Sequence, residues 1–321
     1  MYSRITGTGS YLPEKIVTND DLEKMVGTSA DWIVEHTGIT KRHIAAEGQS
    51  TCDLAEVAAT RAMEMASKRA EDIDLIVFAT TTPDLIFPGT ACLLQKKLGI
   101  SGGAAFDIQA TCTGFVHALA VADKFIKSGS NKCVLVIGAE TLSNILDWTD
   151  RDTCILFADG AGAVILEASE EEGILSTCLH TEDKYKSLLK TADGLSSNEA
   201  LLNSGGAYTE IKGNEAINIA VTTLDRIVDE ALEQNNLAKS DVDWLIPHQA
   251  NIETIKATAK KLKMEMDQIV VTVDDHGNTS AASIPLALDT AVRDGRIQRG
   301  ETIILEAFGG GFTWGSALIR Y

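Results

Sequence analysis

Three residues of this 321-residue chain combine a reactive or hydrogen-bonding side chain with a position at the end of a predicted strand: Cys112, His248 and Asn278. Cys112 lies in Ala105-Phe106-Asp107-Ile108-Gln109-Ala110-Thr111-Cys112-Thr113-Gly114-Phe115. A strand is expected to end near Ile108, and a helix to run through Phe115, Ala118, Leu119, Ala122 and Ile126 to a stop at Lys127-Ser128-Gly129. A cysteine at such a turn meets free backbone amides and the positive end of the helix dipole, which favour the reactive thiolate. The small neighbours Ala110, Thr113 and Gly114 leave room for a substrate carbonyl. A buried structural cysteine fits the same place. His248 opens Pro247-His248-Gln249-Ala250-Asn251 after another predicted strand, where α/β proteins hold ligands. A hydrogen-bonded structural histidine also fits there. Asn278 sits in Asp275-His276-Gly277-Asn278-Thr279-Ser280-Ala281-Ala282-Ser283, a pattern equally suited to a turn followed by a helix cap.

The elements that must position these residues repeat. Leu54, Val57, Ala58, Ala62 and Met65 form one helical face, followed by Asp72-Ile73-Asp74 and the buried-strand run Leu75-Ile76-Val77-Phe78-Ala79. Leu224, Ile227, Val228, Ala231 and Leu232 form a second such face, followed by Asp241-Val242-Asp243 and Trp244-Leu245-Ile246-Pro247. Lys96-Lys97-Leu98 is answered by Lys260-Lys261-Leu262, and the strand beginning at Cys133 by the strand beginning at Thr302. The offsets are 241 − 72 = 169, 260 − 96 = 164 and 302 − 133 = 169. A period near half the chain length predicts a duplicated domain, not a short-period solenoid. The expected architecture is therefore α/β, with residues 1–168 holding the cysteine and residues 169–321 holding the histidine and asparagine. Buried sheets are expected to be covered by helices. Glu170-Glu171-Glu172-Gly173 reads as the surface crossing, and segment 184–213 as an inserted loop able to cover a site. Asn278, 166 residues after Cys112, is the expected repeat-mate of that cysteine.

Composition narrows the function. With 28 basic and 46 acidic residues the net charge is −18, which disfavours nucleic acid as a partner and confines any acidic ligand to a local basic patch. The hydrophobic share of 45% and charged share of 23% are ordinary for a soluble globular protein. No run approaches the ~18 apolar residues of a membrane span, and no secretory leader pattern is present, so a cytoplasmic protein is expected. The six cysteines lack CxxC spacing, which points away from a metal cage or a disulfide framework. Gly7-Thr8-Gly9 and Asp159-Gly160-Ala161-Gly162 do not extend to GxGxxG and read as close backbone contacts, so no nucleotide cofactor is indicated. His276 is expected to orient the Gly277 turn, and His117 to be a packed helix residue.

Four phrases in order, Cys112-Thr113-Gly114-Phe115, His248-Gln249-Ala250-Asn251, Gly277-Asn278-Thr279-Ser280-Ala281-Ala282 and Glu306-Ala307-Phe308-Gly309-Gly310-Gly311-Phe312-Thr313-Trp314-Gly315, resemble those of β-ketoacyl-acyl carrier protein synthase III. The likeness runs from Gly7-Thr8-Gly9-Ser10-Tyr11-Leu12-Pro13 to Tyr321. It implies the thiolase fold, a duplicated α-β-α-β-α layering, and a Cys112-His248-Asn278 triad that condenses acetyl-CoA with malonyl-acyl carrier protein without a metal or cofactor. The amides of Cys112 and Gly310 are then the expected oxyanion donors. Thr28, Trp32, Arg151 and Asn251 are the expected contacts of CoA and its pantetheine arm, although Trp32 also fits a core position. Phe87 is expected to close the acyl pocket of a second copy in a homodimer. Two departures stand out: His36 and Glu253 replace arginines common in relatives. Lys256, Lys260 and Lys263 recur on one helical face beside Lys261 and form the expected carrier-protein docking stripe, or else a solvated face. A specialised ketoacyl synthase and a catalytically inactive thiolase-fold binding module are the competing readings. A degradative thiolase is disfavoured because Asn278 stands where a second histidine is expected.

Overall fold

The computed structural model describes residues 1–183, 189–191, 209–211 and 213–321, so most of the segment 184–213 expected to cover a site lies outside the described residues. Thirteen strands are described in chain order: β1 Tyr2–Tyr11, β2 Lys15–Thr18, β3 Lys41–Ile44, β4 Leu75–Ala79, β5 Ala104–Ile108, β6 Cys133–Thr141, β7 Asp159–Ser169, β8 Ile174–Thr181, β9 Leu189–Thr191, β10 Thr209–Ile211, β11 Trp244–Pro247, β12 Thr302–Gly309 and β13 Thr313–Arg320. One sheet has the order β1-β7-β6-β4-β5, another the order β11-β12-β13-β8. Each is built from one half of the chain.

The two sheets match strand for strand. β4 lies parallel to β6 with Leu75 opposite Val134, and β11 lies parallel to β12 with Trp244 opposite Ile303, both residues shifted by 169. The mate of β5 shrinks to a single bridge, Leu245 to Ile269. The repeated acidic phrase is a turn device. Asp72 accepts a hydrogen bond from the Arg69 amide at 2.8 Å, and Asp241 one from the Ala238 amide at 2.8 Å. The amide of Asp74 then donates to the Cys133 carbonyl at 3.0 Å, and that of Asp243 to the Thr302 carbonyl at 2.9 Å.

Helices complete five layers. Helices Gly114–Lys127 and Ser283–Arg293 form the central layer, where Phe115, Leu119, Ile284 and Leu288 pack against Val136 of one sheet and Leu305 of the other. Helices Thr51–Met65 and Thr90–Lys97 cover the outer face of the first sheet, and Gly213–Gln234 and Ile252–Leu262 that of the second. Sheets covered on both faces need continuous apolar strands, and β4 is buried along its whole length. Close layers also need small residues: a Cβ on Gly9 would stand 2.2 Å from the Ala58 carbonyl oxygen, and one on Gly162 2.6 Å from Pro285 Cβ.

One sequence expectation is corrected. Both central helices begin with a 3-10 turn, Thr111–Thr113 and Ser280–Ala282, whose first residues share a left-handed φ of 47° and 50° and lie 169 residues apart. The repeat-mate of Cys112 is therefore Ala281, and that of Asn278 is Gln109. The pairing expected from sequence is off by three residues, because neither left-handed position carries the glycine that usually marks one.

Candidate active site

Cys112 is the middle residue of the first 3-10 turn and is 5% exposed. The turn is tied down by Thr113, whose hydroxyl donates to the Ala110 carbonyl at 2.6 Å. Across the boundary, Gly309 of β12 presses on it: a Cβ there would lie 2.3 Å from Thr111 Oγ1 and 2.9 Å from the Cys112 nitrogen. The glycine loop thus brings its backbone against the Cys112 amide, and the Thr111 hydroxyl stands 3.3 Å from the Gly310 carbonyl.

His248 follows β11 and is buried; its amide donates to the Glu306 carbonyl at 2.7 Å, extending the β11–β12 pairing. Its ring Nδ1 lies 2.7 Å from Ser283 Oγ, and Phe308 packs edge-on at 5.6 Å between centroids. Gln249, also buried, braces this loop: its amine donates to the carbonyls of Pro247 and Val270 at 2.8 and 3.0 Å, while its oxygen accepts from the amides of Thr272 and Val273 at 2.8 and 3.1 Å. Asn278 is held as a one-residue bridge to Phe157, with its Oδ1 accepting from the Ser280 amide at 3.0 Å. That leaves the Nδ2 amine as its donor group. Ser280 also shares the wall of one cavity with Cys112.

Ser280 and Ser283 therefore anchor Asn278 and His248 beside the Cys112 turn, and neither serine is singled out by the sequence. Cys112, Thr81, Phe157, Ser280 and Gly310 line a cavity of about 160 Å³, with Lys190 and Thr209 also on its wall. His248 and Asn278 are not on that wall; Phe157, the bridge partner of Asn278, is.

Electrostatics reverse one expectation. Burial pushes the Cys112 thiol up to about 12, Glu140 adds to the rise, and the hydrogen bond from Ser280 opposes it. A rise from 9.0 to about 12 corresponds to about 4 kcal/mol. A helix N-terminus supplies at most about 2 kcal/mol. Desolvation wins, and the resting sulfur is a thiol. Burial likewise pushes His248 down to about 3, so its imidazole is neutral at physiological pH.

The remaining predicted residues fall into separate groups. Trp32 is half-buried against the cluster of Leu22 and Ile33. The Arg151 guanidinium lies 4.8 Å from its ring, and the His36 ring stacks on it at 4.2 Å between centroids. His36 thus occupies indole surface that its sequence position alone did not reveal. Thr28 lies just before this helix, Ala30–Thr37, whose N-cap is Ser29. Asn251 is the N-cap of helix Ile252–Leu262, accepting from the Thr254 amide at 2.8 Å, so its side-chain oxygen is already used. Phe87 is 83% exposed on a tip with Leu85 and Ile86 and does not line the Cys112 cavity. Lys256, Lys260 and Lys263 border one shallow groove, whereas Lys261 faces Asp225 at 3.8 Å. His117 Nδ1 lies 3.0 Å from the Thr113 carbonyl on its own helix. His276 is buried, with Nδ1 unpartnered among the described residues, so no ring hydrogen bond from that atom to them orients the Gly277 turn.

Known proteins give this geometry a family. Residues 106–183 match the family described as 3-Oxoacyl-[acyl-carrier-protein (ACP)] synthase III, and residues 232–321 match its C-terminal counterpart. The β-ketoacyl-[acyl-carrier-protein] synthase III of Thioalkalivibrio sulfidiphilus is 66% identical over 320 residues, covering 100% of this chain and 99% of the relative. The crystal structure of 3-oxoacyl-[acyl-carrier-protein] synthase III from Aquifex aeolicus VF5 superposes with a TM-score of 0.94 at 46% identity, covering 99% of this chain and 100% of that one. The enzyme of the same name from Pseudomonas aeruginosa PAO1 also reaches 0.94, at 38% identity, covering 100% and 98%. With such identity over its whole length, this chain belongs to the β-ketoacyl-[acyl-carrier-protein] synthase III family of thiolase-fold acyltransferases.

Proposed function

We propose that this protein catalyses the decarboxylating condensation of acetyl-CoA with malonyl-acyl carrier protein, giving acetoacetyl-acyl carrier protein, CoA and CO₂ and so starting fatty acid synthesis. The observation that carries the reading is the convergence on one turn: Ser280, on the wall of the Cys112 cavity, holds Asn278, and His248 is joined to the next helix through Ser283. In the first half-reaction the Cys112 sulfur attacks the acetyl thioester. The S–H proton leaves as the new S–C bond forms and ends on the departing CoA sulfur. The amides of Cys112 and Gly310 stabilise the oxyanion.

In the second half-reaction the malonyl carboxylate departs as CO₂, and the electron pair of the broken C–C bond becomes an enolate. His248 and Asn278 donate to its oxygen. A Ser283 hydroxyl donating to Nδ1 fixes the tautomer with hydrogen on Nε2, and a neutral ring is what such a donor needs. The enolate carbon attacks acetyl-Cys112, and collapse of that adduct frees the thiolate, which regains a proton from solvent. A cavity of about 160 Å³ suits a short acyl group, being well below the ~300 Å³ at which pockets for drug-sized ligands begin.

Around this centre, residues 1–168 and 169–321 act as two halves of one cytoplasmic enzyme. Trp32 and Arg151 flank the CoA nucleotide, which displaces His36, while Thr28 and the Asn251 amine contact the rest of CoA. The exposed tip of Leu85, Ile86 and Phe87 supports burial against a second copy, with Phe87 closing the partner's acyl pocket. Lys256 and Lys260 receive the acidic carrier protein. Incubating the purified chain with acetyl-CoA and malonyl-acyl carrier protein tests the whole reading. Acetoacetyl-acyl carrier protein and equimolar free CoA are expected, and release of neither refutes it.

A further inference from the structure

Glu140, near the end of β6, is fully buried, and no cation pairs with it among the described residues. Burying a lone carboxylate is costly unless donors surround it. Here they come from three consecutive threonines. The Thr82 hydroxyl donates at 2.6 Å, the Thr81 hydroxyl at 2.9 Å, the Thr80 hydroxyl at 3.2 Å, and the amides of Thr81 and Thr82 at 3.0 and 3.1 Å. One further donor crosses from the other half of the chain: the Ser280 hydroxyl, 3.4 Å from Glu140 Oε1. Ser280 is the left-handed residue whose amide holds Asn278. Thr81 and Ser280 also line the Cys112 cavity.

We propose that Glu140 is a positioning residue for the condensation: acting through Ser280, it fixes the turn that aims the Asn278 amide beside the Cys112 cavity, across the boundary between the two halves. The inference rests on the assignment of Cys112 as nucleophile. A serine hydroxyl carries one proton. Drawn toward Glu140, that proton is no longer free to stabilise a Cys112 thiolate, and the carboxylate charge further disfavours one. Glu140 thereby adds to the desolvation that keeps Cys112 a thiol and fixes the turn that aims the Asn278 side-chain amide. Its repeat-mate is Gly309, so no second carboxylate performs this role.

The test compares Glu140→Gln, Ser280→Gly and the double variant. Glycine suits the φ of 50° at Ser280, so that variant removes the hydroxyl without straining the backbone. Two readouts separate positioning from a merely structural role. The pH profile of Cys112 alkylation by iodoacetamide moves about one pH unit lower in Glu140→Gln, because a like charge has gone. Meanwhile kcat for condensation falls about tenfold to a hundredfold in either single variant, the worth of one hydrogen bond to a charged group, with KM little changed. The double variant loses no more than the worse single one. Lys190 and His248 are present in every variant and do not account for a difference. A folded Glu140→Gln whose alkylation profile overlays the parent overturns the proposal, as do multiplicative losses in the double variant. Should Glu140→Gln fail to fold, an unchanged kcat in Ser280→Gly overturns it. The alkylation readout needs no substrate, so its failure is distinguishable from a failure of the assigned reaction, which the parent enzyme's own condensation assay reports.

Discussion

The two strand–turn–helix units at the centre of the molecule have nearly the same backbone and very different chemistry. Each turn begins with a left-handed residue, Thr111 at 47° and Ser280 at 50°, and each opens a central helix. Each is pressed by a glycine from the opposite half. Gly309 meets Cys112, and a Cβ on Gly138 would stand 2.2 Å from the Ala281 carbonyl oxygen. Yet Cys112 is matched by Ala281, His248 by Ala79, Asn278 by Gln109 and Gly309 by Glu140. A duplicated frame brings two equivalent loops together, and chemistry arises because each carries what the other lacks: a sulfur on one side, two neutral donors on the other.

The comparison breaks first, and most severely, at the donors. His248→Ala and Asn278→Ala are each expected to slow malonyl decarboxylation by about a hundred- to a thousandfold, the usual cost of losing one oxyanion donor. Cys112 acetylation should suffer far less, and equal loss of both half-reactions, followed by separate CO₂ and CoA release assays, contradicts the division of labour. Because burial keeps His248 neutral from about pH 4 upward, decarboxylation should show no titration near pH 6.5.

Gly309→Ala sharpens the comparison next. The mate position accommodates a glutamate, but at Gly309 a methyl group collides with Thr111 and the Cys112 amide. Urea unfolding should show a loss of about 1–3 kcal/mol, typical of overpacking, together with slower acetylation. The helix ends differ too. Lys97 of the first half is paired with Asp53 and Glu56 at 2.8 Å each, whereas Lys256, paired only with Glu253 at 3.2 Å among the described residues, borders a shallow groove with Lys260. Charge reversal at Lys256 and Lys260 should raise KM for the carrier protein about tenfold and weaken its salt dependence, leaving acetyl-CoA loading intact; reversal at Lys97 should leave both KM values alone.

The smallest effect distinguishes two buried carboxylates. Glu140 is surrounded by donors, while both side-chain oxygens of Glu306 on β12 lack partners among the described residues, and burial raises Glu306 to about 8. Glu306 therefore keeps its proton in the fold between about pH 4.5 and 8, where the unfolded chain has lost it, so this residue makes stability fall as pH rises through that window. Glu306→Gln should flatten that decline in thermal unfolding midpoints, and an unaltered slope refutes the assignment.

Much of this was legible because the repeat is written in turn chemistry: Asp72 and Asp241, with Asp74 and Asp243, mark equivalent strand starts, and the apolar runs after them became β4 and β11. The Cys112 loop, the His248 loop and the close glycine contacts were readable for the same reason. What escaped depends on three-dimensional surroundings. The left-handed turns carry Thr111 and Ser280 where glycine would have signalled them. The thiolate expected at a helix start yields to desolvation, which no local pattern records. Glu140 hides at the end of an apolar strand, and its threonine partners lie about sixty residues earlier. The lysine stripe was readable from helical spacing, but the turn of Lys261 toward Asp225 depends on the neighbouring helix.

The central claim is that Cys112 alone carries the acyl group, although five other cysteines are present. Intact-protein mass spectrometry after incubation with acetyl-CoA tests it most directly. The account predicts a single acetyl adduct per chain that maps to the peptide containing Cys112 and is absent from Cys112→Ser. An adduct that persists in that variant, or maps to another cysteine, contradicts it.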